Sequence, residues 1–397
     1  VERCCCCVLI EVRKAGFVNK GAQLMLLAIL QEVSRRFPAA RFAMAPSRKG
    51  TSQPLDRIRE QGMLAKASLW RAGRQWGDLA ALVPRTVRES LGLVLDRDVD
   101  TVLDAAGFAY GNPWPTRNLA ELAASAVRWQ QRGTALVLMP QAFGRIEKAE
   151  DLRHLRTVVD AAQRIYARDT QSLDHLRSVV GEHASLRLAP DFTSLLPGLS
   201  PSEDLKRQLS ETIAIIPNAR MLDRTDAASG LAYLPFLEGC IASLLAGGLQ
   251  VALVVHSGAE DLALAKQLRD RYPQCRLIDE SHPLKIKGFL GSCRGSIGSR
   301  YHGLINCLSQ GIPAFGTSWS HKYQALYADY DFGAGLISEL SASVADEVCR
   351  HLLDDTWIGA TRAHLVQSAE RQKDASRVMW EDIFGVIESA TQTRAKT

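Results

Sequence analysis

The chain has 397 residues, of which 46% are apolar and 23% charged, and its formal net charge at pH 7 is +5. This length exceeds what one hydrophobic core usually holds, so we expect two domains. The mild positive charge suits an anionic small substrate or a membrane surface. Because no run of basic residues is interleaved with aromatic ones, we expect no nucleic-acid partner. We also expect no signal peptide and no apolar stretch long enough to span a membrane.

Four of the nine cysteines are consecutive, at residues 4–7, and the apolar residues 8–10 follow them. Neighbouring residues on a strand point to opposite faces, so these cysteines cannot pair neatly with one another. We interpret the run as a buried first strand that uses Cys as a small hydrophobe, with a metal site as the alternative. The other five cysteines show no CxxC spacing, which favours a reducing compartment and therefore the cytoplasm.

The first half of the chain alternates apolar runs with amphipathic segments, which is typical of an α/β domain. Strands are predicted over residues 4–12, 41–45, 101–104, 135–139, 164–167 and 186–191. Helices are predicted over residues 23–37, 47–98, 117–132 and 149–163, and from Ser172 with Asp169 as the N-cap. Segment 196–206, which contains Pro and Gly, is predicted to be a linker between an N-terminal domain (1–198) and a C-terminal domain (206–397).

The second half of the chain shows the same alternation of predicted strands and helices. Strands are predicted over residues 212–218, 251–256, 276–279 and 312–316, and helices over 232–246, 260–271, 283–290, 341–353 and 359–390. Residues 295–299 are predicted to be a small-residue turn before a helix that starts near Arg300 and His302. Such a helix start suits an anion, although an ordinary junction with a solvated Arg300 and a buried His302 is the alternative. The predicted fold is two Rossmann-like α/β domains that face one another across a cleft.

Polar side chains recur where the predicted strands end, which is the edge where parallel α/β sheets bind ligands. They are Asn19, Asp104, Gln141, Arg168, Asn218, Arg300, His302 and Lys322. The cations among them can converge on one anion, since guanidinium groups bind carboxylate or phosphate bidentately. Loop 105–114 carries Tyr110 and Trp114, whose rings suit stacking on a sugar unless the loop is simply a packed turn. With no GxSxG, HExxH or P-loop pattern, these residues favour transfer from an anionic donor to a second substrate.

Several stretches, in order along the chain, resemble the polysaccharide pyruvyl transferase family. They are residues 19–23 (Asn-Lys-Gly-Ala-Gln), 104–111, 140–144, 167–169 with Ser172, 216–218, 298–303 (Gly-Ser-Arg-Tyr-His-Gly) and 321–323 (His-Lys-Tyr). The resemblance implies a GT-B-like fold and transfer of the pyruvyl group of phosphoenolpyruvate onto a saccharide as a ketal. It places this reaction in exopolysaccharide or cell-surface glycan synthesis. It implies no metal and no organic cofactor, because phosphoenolpyruvate is itself the co-substrate.

The resemblance also implies a role for each candidate residue. The donor site comprises Arg168, Arg300, Tyr301, His302 and Lys322, with Arg300 and His302 catalytic. His302 is the candidate acid for the methylene carbon, and Tyr301 contributes its backbone. The acceptor side, in the N-terminal domain and its cleft, comprises Asn19, Lys20, Asp104, Tyr110, Asn112, Trp114, Gln141 and Asn218. Tyr301 replaces a usual Leu or Phe, while Asn112 and Gln23 replace usual acids and bear on acceptor preference.

Two other functions stay open for the same fold. A GT-B-type glycosyltransferase would hold the diphosphate of a nucleotide-sugar with these cations and would need an acid for the ribose, for which Glu238 or Asp261 is available. A non-catalytic saccharide-binding protein would keep the fold without the chemistry. Acceptors in such pathways are often lipid-linked, so we expect a cytoplasmic protein that can make transient contact with the inner face of the membrane.

Overall fold

The computed structural model describes residues 8–47, 52–71, 74–317 and 322–395, so the predicted strand of cysteines at 4–7 lies outside the described residues. The chain divides into two compact units. Unit 1 contains Val1–Val18, Met25–Thr193 and Ala375–Thr397, and unit 2 contains Asn19–Leu24 and Ser194–Asp374. The division near residue 194 lies beside the expected linker, but Asn19–Leu24 and Ala375–Thr397 each belong to the unit of the other half of the chain.

Unit 1 is built on an eight-stranded sheet in the order β10-β9-β8-β7-β1-β2-β3-β6, with parallel pairing throughout. Its strands are β1 (Leu9–Arg13), β2 (Arg41–Met44), β3 (Leu64–Lys66), β6 (Leu93–Val94), β7 (Thr101–Asp104), β8 (Ala135–Gln141), β9 (Arg164–Ala167) and β10 (Leu186–Leu188), and a hairpin adds β4 (Trp70–Arg71) and β5 (Arg74–Gln75). The helices of this part of the chain are α1 (Lys20–Arg36), α2 (Leu55–Glu60), α3 (Arg85–Ser90), α4 (Thr116–Gln131), α5 (Ala149–Ala161) and α6 (Thr170–Val180). The strand order reverses between β1 and β7.

The prediction that residues 47–98 are helical is wrong. In its described residues, which exclude 48–51 and 72–73, the segment holds two short α-helices, α2 and α3, and two 3-10 helices, Gly77–Leu82 and Asp96–Asp98, among strands β3 to β6. Pro54 and Pro84 are the N-cap residues of these helices. Gly62 and Gly92 follow the helices with φ of +69° and +62°, a left-handed conformation that glycine adopts without strain. A Pro before each helix and a Gly after it therefore limit the helix to about two turns, even though the amphipathic pattern of the segment is longer.

Unit 2 carries a six-stranded parallel sheet in the order β13-β12-β11-β14-β15-β16. Its strands are β11 (Thr212–Ile216), β12 (Gln250–Val254), β13 (Arg276–Ile278), β14 (Gly295–Gly298), β15 (Ala314–Thr317) and β16 (Leu336–Ile337). The remaining helices are α7 (Glu203–Leu209), α8 (Arg220–Asp223), α9 (Ala227–Ala246), α10 (Gly258–Arg271), α11 (Pro283–Leu290), α12 (Tyr301–Leu308), α13 (Lys322–Asp329), α14 (Ala342–Leu353) and α15 (Asp355–Ala395). Here the strand order reverses between β11 and β14.

Both faces of this second sheet are buried. Ile213 and Ile215 of β11 face one apolar core, whereas Ala214 and Ile216 face another. This alternation follows from the two-residue period of a strand, and helices cover both sides. The sheet is therefore of the doubly wound kind that the sequence predicts.

One described helix, α9, is long and apolar enough to span a membrane, contrary to the expectation from the sequence. Its Tyr233, Phe236 and Ile241 side chains lie in the buried core of unit 2. Since buried core helices meet the same length and composition criteria, α9 is weak evidence for a membrane span.

The small-residue stretch predicted as a turn is, over Gly295–Gly298, the central strand β14. A side chain on Gly295 would lie 2.7 Å from Leu352, and one on Gly298 would lie 3.2 Å from Ile216. Glycine is used here because neighbouring elements approach the strand closely, and not because the chain turns.

The predicted linker is packed at its start. Leu196 is buried, and the backbone N–H of Leu199 donates to the carbonyl of Leu284 in α11 at 2.8 Å. A side chain on Gly198 would lie 2.5 Å from the backbone nitrogen of Gly288, and one on Gly288 would meet the backbone carbonyl of Leu199. The two segments therefore approach so closely that neither glycine tolerates a Cβ.

We expect Gly288→Ala to lower the free energy of unfolding by about 3 kcal/mol or more, because the added methyl meets backbone that cannot rotate away. Gly359→Ala is the matched control, since this helical glycine in α15 has open space around its Cβ position and should gain about 0.5–1 kcal/mol. Urea unfolding followed by circular dichroism measures both. Equal stability of the two variants would contradict the close approach.

Candidate functional site

The reversal of strand order in unit 2 brings several predicted site residues to one edge of the sheet. Asn218 follows β11, Arg300 follows β14, and His302 lies in the first turn of α12. In doubly wound sheets, ligands bind at the carboxyl ends of the strands beside such a reversal. The sequence predicts Arg300 and His302 in the donor site and Asn218 on the acceptor side, and the fold of unit 2 brings all three to this one edge.

Ser299 is the centre of a buried hydrogen-bond network at this edge. Its hydroxyl lies 2.7 Å from that of Tyr233 and 2.6 Å from that of Thr317. Its carbonyl accepts from the Asn218 amide at 2.7 Å and from the Tyr323 hydroxyl at 2.8 Å. Burial is the main cause that raises the pKa of Tyr233, to about 12, so this hydroxyl stays protonated at neutral pH. The network fixes the turn between β14 and α12, because it ties that turn to β11, β15 and two helices.

Arg300 is held by a carboxylate that the sequence analysis had assigned to a different ligand. Its Nε donates to Asp261 Oδ2 at 2.7 Å, and its Nη2 donates to Oδ1 at 2.5 Å. Asp261 is fully buried in α10 and also accepts from the backbone N–H of Ala219 at 3.0 Å. The charge of Arg300 is therefore largely balanced within unit 2, and its guanidinium is fixed in orientation.

His302 packs against the first turn of α1, in the part of that helix that belongs to unit 2. A side chain on Gly21 would overlap the imidazole ring at its Nδ1 atom. Asn19, predicted on the acceptor side, is the N-cap of this helix, because its Oδ1 accepts from the backbone N–H of Gly21 at 2.8 Å. The Lys20 ammonium donates to the carbonyl of Ser281 at 2.5 Å. The helix turn at residues 19–21 thus forms one wall beside the imidazole, with Gly21 as the residue in contact.

His256 is a site residue that the sequence analysis missed. It is buried directly after β12, and its Nε2 lies 3.5 Å from the side-chain nitrogen of Asn306 in α12. Burial, and to a smaller extent the nearby His302, Arg300 and Lys20, together lower the pKa of His256 to about 3. A signal existed, since His256 ends a predicted apolar strand at the ligand-binding edge.

Tyr301 and Lys322 complete the described part of this region. Tyr301 is buried, and its ring meets those of His302 and Tyr323 edge-on, with centroids 5.5 Å and 5.9 Å apart. The Lys322 ammonium lies 5.4 Å from the centroid of the Tyr301 ring. The side chain of Tyr301 is therefore a packing and cation-binding group in addition to any backbone role. His321 lies outside the described residues.

Asp104 and Tyr110 belong to unit 1, and both are core residues. Tyr110 is 1% exposed, stacks on Phe143 with centroids 6.3 Å apart, and its hydroxyl donates to Asp104 at 3.2 Å. Asp104 is fully buried, and Arg13 Nε lies 3.3 Å from it. Burial raises the pKa of Asp104 despite the opposing effect of Arg13. The prediction that Tyr110 stacks on a sugar is therefore corrected, because packing against the neighbouring loop buries its ring.

Asn112 and Trp114 lie on the loop after β7, Gln141 is the last residue of β8, and Arg168 follows β9 directly. Asn112 donates to Glu147 at 2.9 Å, and Trp114 is partly exposed with its ring edge-on to Phe108. Gln141 is fully buried and its side-chain amide has no hydrogen-bond partner among the described residues. Arg168 is buried and donates to Asp191 at 3.3 Å. The predicted N-cap is confirmed, since Asp169 accepts from the backbone N–H of Ser172 at 2.7 Å.

Neither a metal-binding cluster nor a disulfide occurs among the residues that the structure describes. Among the residues that the structure describes, no group of three or more His, Cys, Asp or Glu side chains is placed to hold a metal ion. The described cysteines, which are Cys240, Cys275, Cys293, Cys307 and Cys349, are free thiols and all buried.

The sequence of this chain matches the sequence model of one family, described as polysaccharide pyruvyl transferase, over residues 19–321. The chain belongs to the polysaccharide pyruvyl transferase family. The match spans the wall at residues 19–21, the β14–α12 turn and the residues of unit 1 that the sequence analysis singled out, and it confirms the resemblance seen in the motifs. No curated protein matches the chain.

Solved structures show which fold this pyruvyl transferase family member shares. Anabaena HepE in complex with UDP has a TM-score of 0.55 at 11% identity, covering 98% of this chain and 100% of HepE. The UDP-GlcNAc 2-epimerase from Neisseria meningitidis bound to UDP-GlcNAc has a TM-score of 0.57 at 11% identity, covering 96% and 100%. The UDP-N-acetylglucosamine 2-epimerase from Rickettsia bellii has a TM-score of 0.54 at 10% identity, covering 98% of each chain. This likeness shows the fold alone, and the predicted GT-B-like α/β class is confirmed.

We expect Gly21→Ala to displace the His302 imidazole, because a methyl at this position occupies the space of Nδ1. The ring can rotate, so the protein should stay folded and the His302 imidazole signals should move in an NMR spectrum. Gly385→Ala in α15 is the control, since nothing surrounds its Cβ position. Unchanged His302 signals in Gly21→Ala would contradict the packing.

We expect His256 to make the folded state less stable as the pH falls through the window between its ordinary pKa of 6.5 and its folded pKa of about 3. In this window the unfolded chain binds a proton that the folded chain excludes, so stability falls by at most about 1.4 kcal/mol per pH unit. His256→Asn should flatten the dependence, and His364→Asn, at an exposed position on α15, should leave it unchanged. Urea midpoints across the window measure this, and equal slopes in all three proteins would contradict it.

Proposed function

We propose that this protein transfers the pyruvyl group of phosphoenolpyruvate onto two hydroxyls of a saccharide, which it converts to a ketal. The alternative functions for this fold fit the site less well. The observation that carries the proposal is the position of the His302 imidazole. His302 lies in the first turn of α12, next to Arg300, and its ring packs against Gly21 of α1, the neighbour of Lys20. An acid among fixed cations is what protonation of an anionic enol phosphate requires.

The chemistry balances without a cofactor. His302 gives a proton to the methylene carbon of phosphoenolpyruvate, and C2 becomes electrophilic. One saccharide hydroxyl adds at C2 and loses its proton, which restores the acid. The C2–O bond to phosphate then breaks, and a second hydroxyl closes the ketal as its proton leaves with phosphate. The products are the pyruvyl ketal and inorganic phosphate.

The positive charges of the site are distributed among its residues differently from what the sequence predicts. Because Asp261 balances Arg300, this guanidinium serves to orient an anion more than to supply net charge. Lys20 and Lys322 supply further positive charge, and the backbone N–H groups at the start of α12 add a helix dipole. We keep Arg168 as a donor residue on the strength of its family motif alone.

The nucleotide-sugar alternative fits unit 2 less well. It needs an acid for the ribose, but Asp261 is buried and already accepts from Arg300 and Ala219. Glu238, the other candidate, lies 3.3 Å from Arg271. Complexes of HepE with UDP show that this fold can hold a nucleotide, so UDP is the appropriate competitor in a binding test.

The acceptor in this proposal is a saccharide of the exopolysaccharide or cell-surface glycan class, in free or lipid-linked form. A cytoplasmic enzyme with a mildly positive charge can meet a lipid-linked acceptor at the inner face of the membrane. The residues Asn112, Trp114, Gln141 and Asn218 remain candidates for its binding, whereas Tyr110 and Asp104 support the fold from within.

We expect phosphoenolpyruvate to raise the apparent thermal stability of the protein, and UDP to have no such effect, since only a ligand of the folded state stabilises it. His302→Asn should keep this shift but slow phosphate release in the presence of acceptor saccharides by about 10²–10⁴-fold. His364→Asn is the control at an exposed histidine of unit 2. Labelled phosphoenolpyruvate and a panel of saccharides provide the assay.

Two results would contradict the proposal. If UDP stabilises the protein and phosphoenolpyruvate does not, the nucleotide-sugar function replaces it. If His302→Asn and His364→Asn turn over at the same rate, His302 is not the acid.

A further inference from the structure

Unit 1 contains a polar cavity that the function above does not use. Its volume is about 190 Å³, and it lies at the carboxyl ends of β1, β2 and β3, beside α4. The strand order of this sheet reverses next to β1, between β1 and β7. The cavity therefore occupies, in unit 1, the kind of position that ligands take in doubly wound sheets.

The walls of the cavity carry charges of both signs. Lys66 at the end of β3 donates to Glu11 at 2.6 Å, and the side chains of both residues are at most 3% exposed. From the opposite wall, α4 contributes Glu121 and Arg128. Both a buried ammonium and a buried carboxylate thus border the same small space.

Each lining cation has a carboxylate partner. Arg13 Nη2 lies 3.2 Å from Glu121, and the Lys14 ammonium lies 3.7 Å from the same carboxylate. Behind the lining, Asp96 accepts from Lys66 at 2.8 Å and from Arg128 at 2.9 Å. Burial alone would raise the pKa of Asp96, but Lys66 and Arg128 lower it, so this carboxylate is ionised. The lining itself carries four cations and two carboxylates, and Asp96 together with Asp104, which lies 3.3 Å from Arg13, supplies the two further carboxylates that pair with these cations.

Stability alone does not account for this network. Buried ion pairs often stabilise a fold no more than apolar side chains of the same size would, because each charge is desolvated. Lys14, which follows β1, also adopts a φ of +60°, and this left-handed conformation is strained for a residue with a side chain. The chain thus keeps costly groups around a cavity, a pattern that favours ligand binding.

The chemistry of the walls selects a neutral polyol. Sugar hydroxyls donate to carboxylates and accept from ammonium and guanidinium groups, so each hydroxyl finds a partner in such a cavity. A volume of 190 Å³ is below the ~300–1,000 Å³ of pockets for drug-sized ligands and suits one sugar ring. Phosphate and uronate are disfavoured because each lining cation already has a carboxylate partner, and two of these carboxylates, Glu11 and Glu121, line the space themselves.

We propose that this cavity of unit 1 binds one neutral hexose unit, which is the sugar of the acceptor that the enzyme recognises. The assignment to an acceptor rests on the proposed function, whereas the binding of a neutral sugar does not. In this arrangement Glu11 and Lys66 form the floor of the sugar site, and Arg13, Lys14, Glu121 and Arg128 form its walls.

The test measures sugar binding to the full chain without phosphoenolpyruvate. Saturation-transfer NMR is recorded with glucose, galactose, mannose, N-acetylglucosamine and N-acetylmannosamine, and with glucuronate and inorganic phosphate as anionic probes. We expect at least one neutral sugar to bind, and Glu121→Gln to weaken it by about tenfold through loss of a charged acceptor. Glu182→Gln, a highly exposed position of unit 1 paired with Arg177, should leave the affinity unchanged.

Several outcomes overturn the proposal. They are the absence of binding by every neutral sugar, tighter binding of glucuronate or phosphate, and equal affinity in wild type, Glu121→Gln and Glu182→Gln. Lys14→Gln, at a partly exposed wall position, is the second variant should Glu121→Gln fail to fold, and it should also weaken binding. Because phosphoenolpyruvate is absent, failure here leaves pyruvyl transfer untouched, and failure of pyruvyl transfer leaves a positive sugar result standing.

Discussion

The hydrogen bonds that converge on Ser299 are the constraint on which the candidate site of unit 2 depends. They join β11, β15, α9 and α13 to the single turn that precedes α12. Since Arg300 and His302 follow this turn directly, their side chains can be placed only as precisely as the turn is. A fully satisfied buried network specifies one geometry more sharply than apolar packing, because each lost partner leaves an unpaired polar group. Arg300 and His302 are thus positioned by buried residues that belong to other elements of unit 2.

The two units place different charge patterns at equivalent positions of similar sheets. In unit 2 the edge beside the strand reversal gathers Lys20, Arg300 and His302 near the buried His256, and Asp261 pairs with Arg300 alone. In unit 1 the corresponding edge pairs each lining cation with a carboxylate, around a small cavity. An excess of positive charge favours an anion, and a balanced set favours a neutral polar ligand. One architecture therefore presents two edges of unlike charge, which is what the proposed donor and acceptor require.

The sequence predicts what depends on local pattern and misses what depends on distant contacts. Strands β7, β9 and β12 and the cap at Asp169 were predictable, because apolar runs and N-cap preferences are local. Tyr110 was not, since its burial is set by Phe143 on another loop. The Arg300–Asp261 pair and the His256 environment likewise join residues far apart in sequence. In residues 47–98 the amphipathic pattern predicts a helix, but Pro54, Gly62, Pro84 and Gly92 divide this segment into shorter elements. The family motifs located the candidate site because they mark the strand ends, but they do not report which side chains are buried.

The membership of Asn19–Leu24 in unit 2 has a consequence for how the chain acquires its site. These residues leave the ribosome long before β11 to β16, yet they form the wall against which His302 packs. Unit 2 therefore cannot be completed from the C-terminal half by itself, even though that half contains the whole Arg-Tyr-His motif. The first turn of α1 can reach its packed position only after the sheet of unit 2 has formed. The position of the His302 imidazole therefore depends on residues from both halves of the chain, and a polypeptide that ends before β14 lacks this arrangement.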